Sequence, residues 1–409
     1  MEQNLSPAGG AWLDAAEAAR RLGVRRDTLY AYVSRGLIRS EAQPGTRARR
    51  YDASDIERLQ QRREARRDPA KAAQETLHFG APVLESAITR IDAGRLFYRG
   101  RDATALARSH RFEQVAGWLW GLPLDAGLPE SGRSWPSAWK RRQALDHLPP
   151  LEAFASVLLA AAAEDATGYT RDVSLLRRHG AHILELVTGV ATGRQTASPE
   201  TGIAKRLQLA WAPRRRAARE VIEAALILWA DHELNVSTFT VRCVTSAGAS
   251  AYAAVVAGLS ALRGVLHGGM TERVEALFEE VGRPERAAEV LAARLRRGER
   301  LPGFGHPLYA DGDPRAVALS AQLAAAGGSN AEADLAAAIG AESQRLIGRA
   351  PNIDFATVAL RRGLGLPSGA ALALVGIARS AGWIAHLLEQ GADARLIRPR
   401  ARYVGPPCG

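Results

Sequence analysis

The sequence predicts a mostly α-helical protein preceded by a small separate module, and three observations carry that expectation. From about Thr76 onward, long Ala/Leu/Arg segments recur at helical spacing, among them "LEAFASVLLAAAAEDA", "AAREVIEAALILWADHE" and "ERAAEVLAARLRRGER". Strand-like alternation is rare there, and short Gly/Pro-rich breaks separate the segments. Before them, "RREARRDPAKAAQ" from Arg62 to Gln74 is charged, carries a proline and has no apolar stripe, so it reads as a linker.

The N-terminal module has its own punctuation. In "LDAAEAARRLGVRRDTLYAYVSRGLI", Asp14 is the expected N-cap with Glu17 three residues on, and Gly23 stops the helix. A second helix over about Arg26 to Arg35 places Leu29 and Val33 on one face, and Gly36 closes it. A Pro-Gly turn, a basic strand-like piece and a third helix with Ile56 and Leu59 follow.

Composition limits the function classes. At 409 residues with 47% hydrophobic content, the chain can fill a substantial core and form two or three domains. Cys243 and Cys408 lie far apart with no Cys/His cluster at ligand spacing, so neither a disulfide framework nor a bound metal is expected. The first 24 residues lack a basic region followed by an apolar run, and Asp231 and Arg263 interrupt long apolar stretches. The expectation is a cytoplasmic protein with no membrane span. A net charge of +11 favours anionic partners, but nucleotide-bearing cofactors and nucleic acids satisfy it equally.

Three of the nine histidines fall at breaks in the helical pattern: His232 in "ADHELNVS", His267 in "GVLHGGM" and His306 in "LPGFGHPLYADGDPRA". Beside glycines, an imidazole and neighbouring backbone N–H groups can meet a ligand without an intervening Cβ. Asp354 in "APNIDFATVAL" reads as part of a non-periodic segment between helices, and Arg315, Arg379 and Arg398 stand in "DPRA", "GIARSAGW" and "LIRPRARY". Several guanidinium forks suit a small polycarboxylate. A carboxylate beside neutral imidazoles suits enolisation, supplying a base for a carbon acid and donors for the enolate oxygen.

Two resemblances add to this reading. Residues 11 to 67, including "RYDASDIERL", resemble the winged-helix DNA-binding domain of the MerR and excisionase type. That implies Arg25, Arg26, Thr28 and Tyr30 toward the major groove of duplex DNA, with Arg47, Arg49 and Arg50 on phosphates. The module is assigned residues 1–70, with its linker reaching about 75.

The rest resembles the citrate synthase family. "DHE…N", "LHGG", "GFGH…DPRA", "N-I-D", "AR…GW" and "RPR" follow that family's motif order from Trp229 to Tyr403, and "GRLFYRGRDATALA" matches its N-terminal part. The resemblance implies a homodimeric, nearly all-α fold, with a large domain of residues 76–268 and 365–409 and a small domain of 269–364. It implies Asp354 as base toward acetyl-CoA, His267 as donor to the thioester oxygen and His306 as acid toward oxaloacetate. His232, Arg315 and Arg379 would hold the oxaloacetate carboxylates, with Arg398 reaching in from the second copy. Pro302, Gly303, Phe304 and Gly305 would lie against the CoA adenine, and no permanently bound cofactor is expected.

The chain departs from the family's common pattern in three places. It has "HGGMT" for "HGGAN" and Pro307 after the third histidine, and it lacks the "SG" that often follows the aspartate. Acetyl-CoA and propionyl-CoA, giving citrate or 2-methylcitrate, are left open. So is a DNA-binding regulator whose body senses a metabolite.

Overall fold

Asp14 begins the first helix as its position demands: its carboxylate accepts the Ala16 and Glu17 N–H groups at 2.8 Å, capping Ala15–Leu22. The expected reciprocal half of the box is absent, because Glu17 instead pairs with Arg20 and Arg21 one turn on. Gly23, in the left-handed region at φ 60°, ends the helix, and Arg26–Ser34 forms the second. Strands Trp12–Leu13, Arg49–Asp52 and Ser40–Ala42 pair in that order into an antiparallel sheet, which supplies the wing. Ala18, Leu22, Leu29, Ile38, Tyr51 and Ile56 form a core belonging to this module alone.

The computed structural model describes residues 12–43, 48–53, 55–56, 59, 84–137, 139–140, 145, 147–195, 201–327, 330–393, 395–401 and 403–406. Arg47, the expected linker Arg62–Gln74 and most of the expected third helix lie outside the described residues, as does Cys408. The chain divides into two compact units, Met1–Glu85 and Ser86–Gly409.

The second unit is mostly helical, with one feature that the sequence reading passed over. Thr89–Asp92, Arg95–Tyr98 and Arg101–Asp102 form a small antiparallel sheet. Ala93 and Gly94, at φ 47° and 71°, are the two central residues of its first turn, the combination that a right-twisted hairpin requires. The alternation is only four residues long on each side, too short to stand out within a helical chain. Tyr98 anchors the sheet: its buried hydroxyl lies 3.0 Å from the Ile227 carbonyl and receives the Asp231 N–H at 3.3 Å.

Two hydrophobic cores fill the body. The larger draws on residues 88–262 and again on 316–388, while the smaller joins Val274, Phe278, Leu291, Leu301, Phe304, Ile339 and Phe355. Helix Ile353–Leu364 serves both. Ile353, Ala356, Leu360 and Leu364 enter the first core, and Phe355, Val358 and Ala359 enter the second. The start of that helix is therefore fixed from two sides.

Helix Ala370–Ala392 corrects the expectation that no stretch has spanning character: it is long and apolar enough to cross a membrane. Its apolar window is wholly buried inside the body, with Leu374, Val375, Ile377, Trp383 and Ile384 at the centre of the larger core. A long, predominantly apolar helix is satisfied equally by protein neighbours.

Candidate active site

The three histidine-bearing breaks converge. Helix Ala218–Trp229 ends just before buried Asp231 and His232. The next residue, Glu233, takes φ 52°, a strained conformation held by the Ile91 N–H donating to its carboxylate at 2.9 Å. His267 sits in the turn before helix Met270–Val281, its N–H donating to the Gly264 carbonyl at 2.8 Å. Gly268 is required there, since a Cβ would come within 2.5 Å of the Leu262 carbonyl oxygen.

In the third break the Asn352 N–H donates to the Gly303 carbonyl and the Gly305 N–H to the Ala350 carbonyl, both at 2.9 Å. Gly303 has φ 86°, and a Cβ there would meet Val274 at 2.8 Å. Pro302, Gly303 and Phe304 are buried, with Phe304 packed on Phe355 at a centroid distance of 5.0 Å, and Gly305 is half-buried. The Phe304 ring thus belongs to the smaller core.

At the centre, the His232 and His306 rings stand edge to face 5.0 Å apart, with the Tyr309 ring 5.6 Å and 5.0 Å from them. Tyr309 Oη lies 2.9 Å from His232 Nε2. Pro307 explains itself here. The Tyr309 N–H donates to the His306 carbonyl at 3.1 Å, closing a turn in which Pro307 holds the position that proline favours. The same turn aims the Leu308 N–H at His306 Nδ1, 3.1 Å away, so the neutral ring carries its proton on Nε2.

All three imidazoles are held neutral. Burial, reinforced by Arg315, brings His306 down to about 4, and burial with Arg379 does the same to His267, also about 4. His232 is driven well below its usual value by burial, then by Arg315 and Arg379. His267 Nε2 lies 2.8 Å from Ser237 Oγ, which also has Asn235 Oδ1 at 2.8 Å and receives the Trp383 indole N–H at 3.3 Å. Ser237 spends its one proton on Asn235 Oδ1 and so accepts from His267 Nε2–H here; the Nδ1–H of that ring faces a ligand only once the Ser237 proton turns to Nε2.

Asp354 is placed differently from the sequence expectation. It is the second residue of helix Ile353–Leu364, not part of a loop, and Asn352 caps that helix by accepting the Asp354 and Phe355 N–H groups at 3.0 Å and 3.3 Å. Burial pushes the carboxyl up to about 6 against the pull of Arg315. Thr271 Oγ1 donates to Asp354 Oδ1 at 3.2 Å.

The arginines divide. Arg315 is fully buried but already committed, donating from Nε and Nη2 to Asp313 at 2.9 Å and 2.8 Å. Asp313 caps the helix that begins at Pro314 and also accepts the Ile353 N–H at 3.1 Å. Arg379 lies buried in the long central helix with its guanidinium carbon 5.6 Å from the Trp229 ring centre, and its Nε and Nη1 have no hydrogen-bond partner. Two unpaired buried donors on one cation are costly unless an anion meets them. Arg398 is not brought to the cluster; it is exposed on the extended C-terminal segment. Tyr309, Ser237, Thr271, Asp313 and Asn352 are site residues that the sequence reading missed. Among the described residues no His/Cys/Asp/Glu group could hold a metal ion.

Residues 78–400 match the family described as "Citrate synthase, C-terminal domain". The chain belongs to the citrate synthase family. It is a transferase of citrate synthase type, and residues 12–64 separately match a helix-turn-helix domain. The citrate synthase of Haloferax volcanii is 32% identical across 80% of this chain and 94% of its own length. A 2-methylcitrate synthase of Mycobacterium tuberculosis is 31% identical across 80% and 89%. Among solved structures, the ternary complex of citrate synthase from Thermoplasma acidophilum with carboxymethyl coenzyme A and oxaloacetate aligns at a TM-score of 0.67. It is 25% identical, covering 80% of this chain and 95% of that one.

In the N-terminal module, Arg25, Arg26 and Tyr30 are exposed and Thr28 is half-buried at the start of the second helix. Arg49 and Arg50 are exposed on the wing strand, where Arg49 also donates to Ser40 Oγ at 3.1 Å.

Proposed function

We propose that this citrate synthase family member condenses acetyl-CoA with oxaloacetate and hydrolyses the resulting thioester to citrate and CoA. The observation that carries this reading is Arg379, a buried cation with two unpartnered donors facing a cluster of neutral imidazoles and a carboxyl of raised pKa. Asp354 takes a methyl proton from the acyl group, and the electron pair moves into the thioester carbonyl, whose oxygen accepts the hydrogen bond of His267. The new carbon nucleophile attacks the oxaloacetate carbonyl, and His306 delivers its Nε2 proton to the oxygen. Water then cleaves the thioester. Neutral imidazoles suit both donor roles, because a preorganised donor in a dry site stabilises developing charge without reorganising solvent.

His232 and Arg379 hold the oxaloacetate carboxylates, with Arg315 as a charge neutralised mainly by Asp313. The body divides into a large domain of residues 76–268 and 365–409 and a small domain of 269–364, with Pro302–Gly305 flanking the CoA site. Exposed Val236, Val265 and Leu266, near the ends of the His232 and His267 segments, support a homodimer in which Arg398 is supplied by the second copy. The N-terminal module binds duplex DNA through Arg25, Arg26, Thr28, Tyr30, Arg47, Arg49 and Arg50. The exposed arginines of its helix and wing support this.

The test is release of free thiol by purified protein given oxaloacetate with either acetyl-CoA or propionyl-CoA. Faster turnover of acetyl-CoA is expected. Faster turnover of propionyl-CoA reassigns the acyl preference, and absence of turnover with both leaves a metabolite sensor as the reading.

A further inference from the structure

Two helices begin at the Asp354 carboxyl. Asp354 lies in the first turn of Ile353–Leu364, and Thr271, only 1% exposed, lies in the first turn of Met270–Val281. Both positive helix ends favour the ionised carboxylate. The Thr271 hydroxyl has two acceptors within reach, Asp354 Oδ1 and the Gly268 carbonyl, each at 3.2 Å. Gly268 adjoins His267, the proposed enolate donor.

A hydroxyl has one proton and two lone pairs, so it cannot donate to both acceptors at once. We infer that Thr271 is a positioning residue that serves both protonation states of Asp354 by rotating its hydroxyl between them. With Asp354 ionised, the Thr271 proton points at Oδ1 and holds the carboxylate toward the acyl methyl group. When Asp354 has taken the substrate proton, its new O–H donates to Thr271 Oγ1, and the Thr271 proton turns to the Gly268 carbonyl. No proton leaves the pair in this exchange; only the direction of two hydrogen bonds reverses. The threonine of "HGGMT" thereby acquires a function distinct from that of an amide at the same position, whose nitrogen can only donate and whose oxygen can only accept.

The two states are not served equally. A hydrogen bond to a charged carboxylate is about twice as strong as a neutral one, so loss of the hydroxyl costs the ionised form more. The expected signature is an upward shift of the base's pKa in kcat/KM, by about half a pH unit given the 3.2 Å separation.

The inference rests on Asp354 being the base. Its test is the pH dependence of kcat/KM for acetyl-CoA in the full-length protein and in Thr271→Val, Thr271→Ser and Thr271→Asn. Thr271→Val, nearly the same shape without the hydroxyl, should move the acidic limb upward and lower the rate at pH 6 about twofold more than at pH 8. Thr271→Ser should restore the unmodified limb, and Thr271→Asn, whose amide N–H donates to the ionised carboxylate but cannot accept from the protonated one, should carry the limb below it. If all three variants lose activity by one factor at every pH, or if Ser behaves as Val does, Thr271 is a packing residue and the inference is overturned. Should Val fail to fold, the Ser and Asn profiles decide alone, by the same criterion. Failure of the underlying reading looks different: Asp354→Asn would then retain turnover, whatever the Thr271 variants do.

Discussion

Arg379 lies buried over the Trp229 ring with two unpaired donor nitrogens, while Arg26 stands exposed at the start of a helix in the N-terminal module. Both are cations suited to anionic partners, and they work under opposite conditions. Around Arg379, water is largely excluded, charges act at low effective dielectric, and neighbouring histidines are pulled down to about 4. Around Arg26, the arginines of helix and wing are solvated and screened beyond roughly 10 Å in ordinary salt. The first environment supports chemistry on a small substrate, because one added proton or carboxylate changes the whole site. The second supports attraction to an extended polyanion, where many weak contacts add up.

The largest expected break in this contrast is Asp354→Asn. It keeps the shape but removes the base, so thiol release should fall by ~10²–10⁴. Oxaloacetate affinity by calorimetry should be nearly unchanged, and joint loss of turnover and binding would dissolve the division between base and clamp.

Within the buried region, the two arginines should differ. Arg379→Leu removes the unpaired donors, so oxaloacetate binding should weaken roughly 10²-fold or more while the fold survives. Arg315→Leu leaves Asp313 buried without its partner, and denaturant unfolding should report a loss of about 3–5 kcal/mol. Equal behaviour of the two variants would erase the distinction between a committed and a waiting guanidinium.

The exposed region should respond to salt. With three phosphate contacts, from Arg47, Arg49 and Arg50, raising salt from about 50 to 200 mM should weaken duplex DNA binding about 40-fold. Oxaloacetate affinity, measured over the same range, should change far less. Salt-independent DNA binding, or none at low salt, would remove the polyanion reading of the module.

The smallest effect is in pH dependence. Because burial raises Asp354 to about 6, kcat/KM should be level above that pH and fall about tenfold per unit below it. His267 and His306 titrate lower, at about 4, so both stay largely neutral through the loss between pH 6 and 5. A profile flat from pH 7 to 5 would contradict the raised carboxyl.

What the sequence determined by itself is local or ordered along the chain. The Asp14 cap, the Gly23 stop, the placing of three histidines at helix breaks and the order of the motifs are all properties of neighbouring residues. The start of helix Ile353–Leu364 was legible too, since Asn352 precedes an apolar pattern at 353, 356, 360 and 364; reading "NID" as a loop overlooked that cap. Tertiary structure alone decided the pairings across distance. Tyr309 meets His232 across 77 positions, and Thr271 meets Asp354 across 83. It also left Arg379 without a partner and kept Arg398 away from the cluster. The reason is physical: capping and periodicity act within a turn or two of backbone, whereas burial, pKa and the partner of a side chain are set by whatever the folded chain brings to its other side.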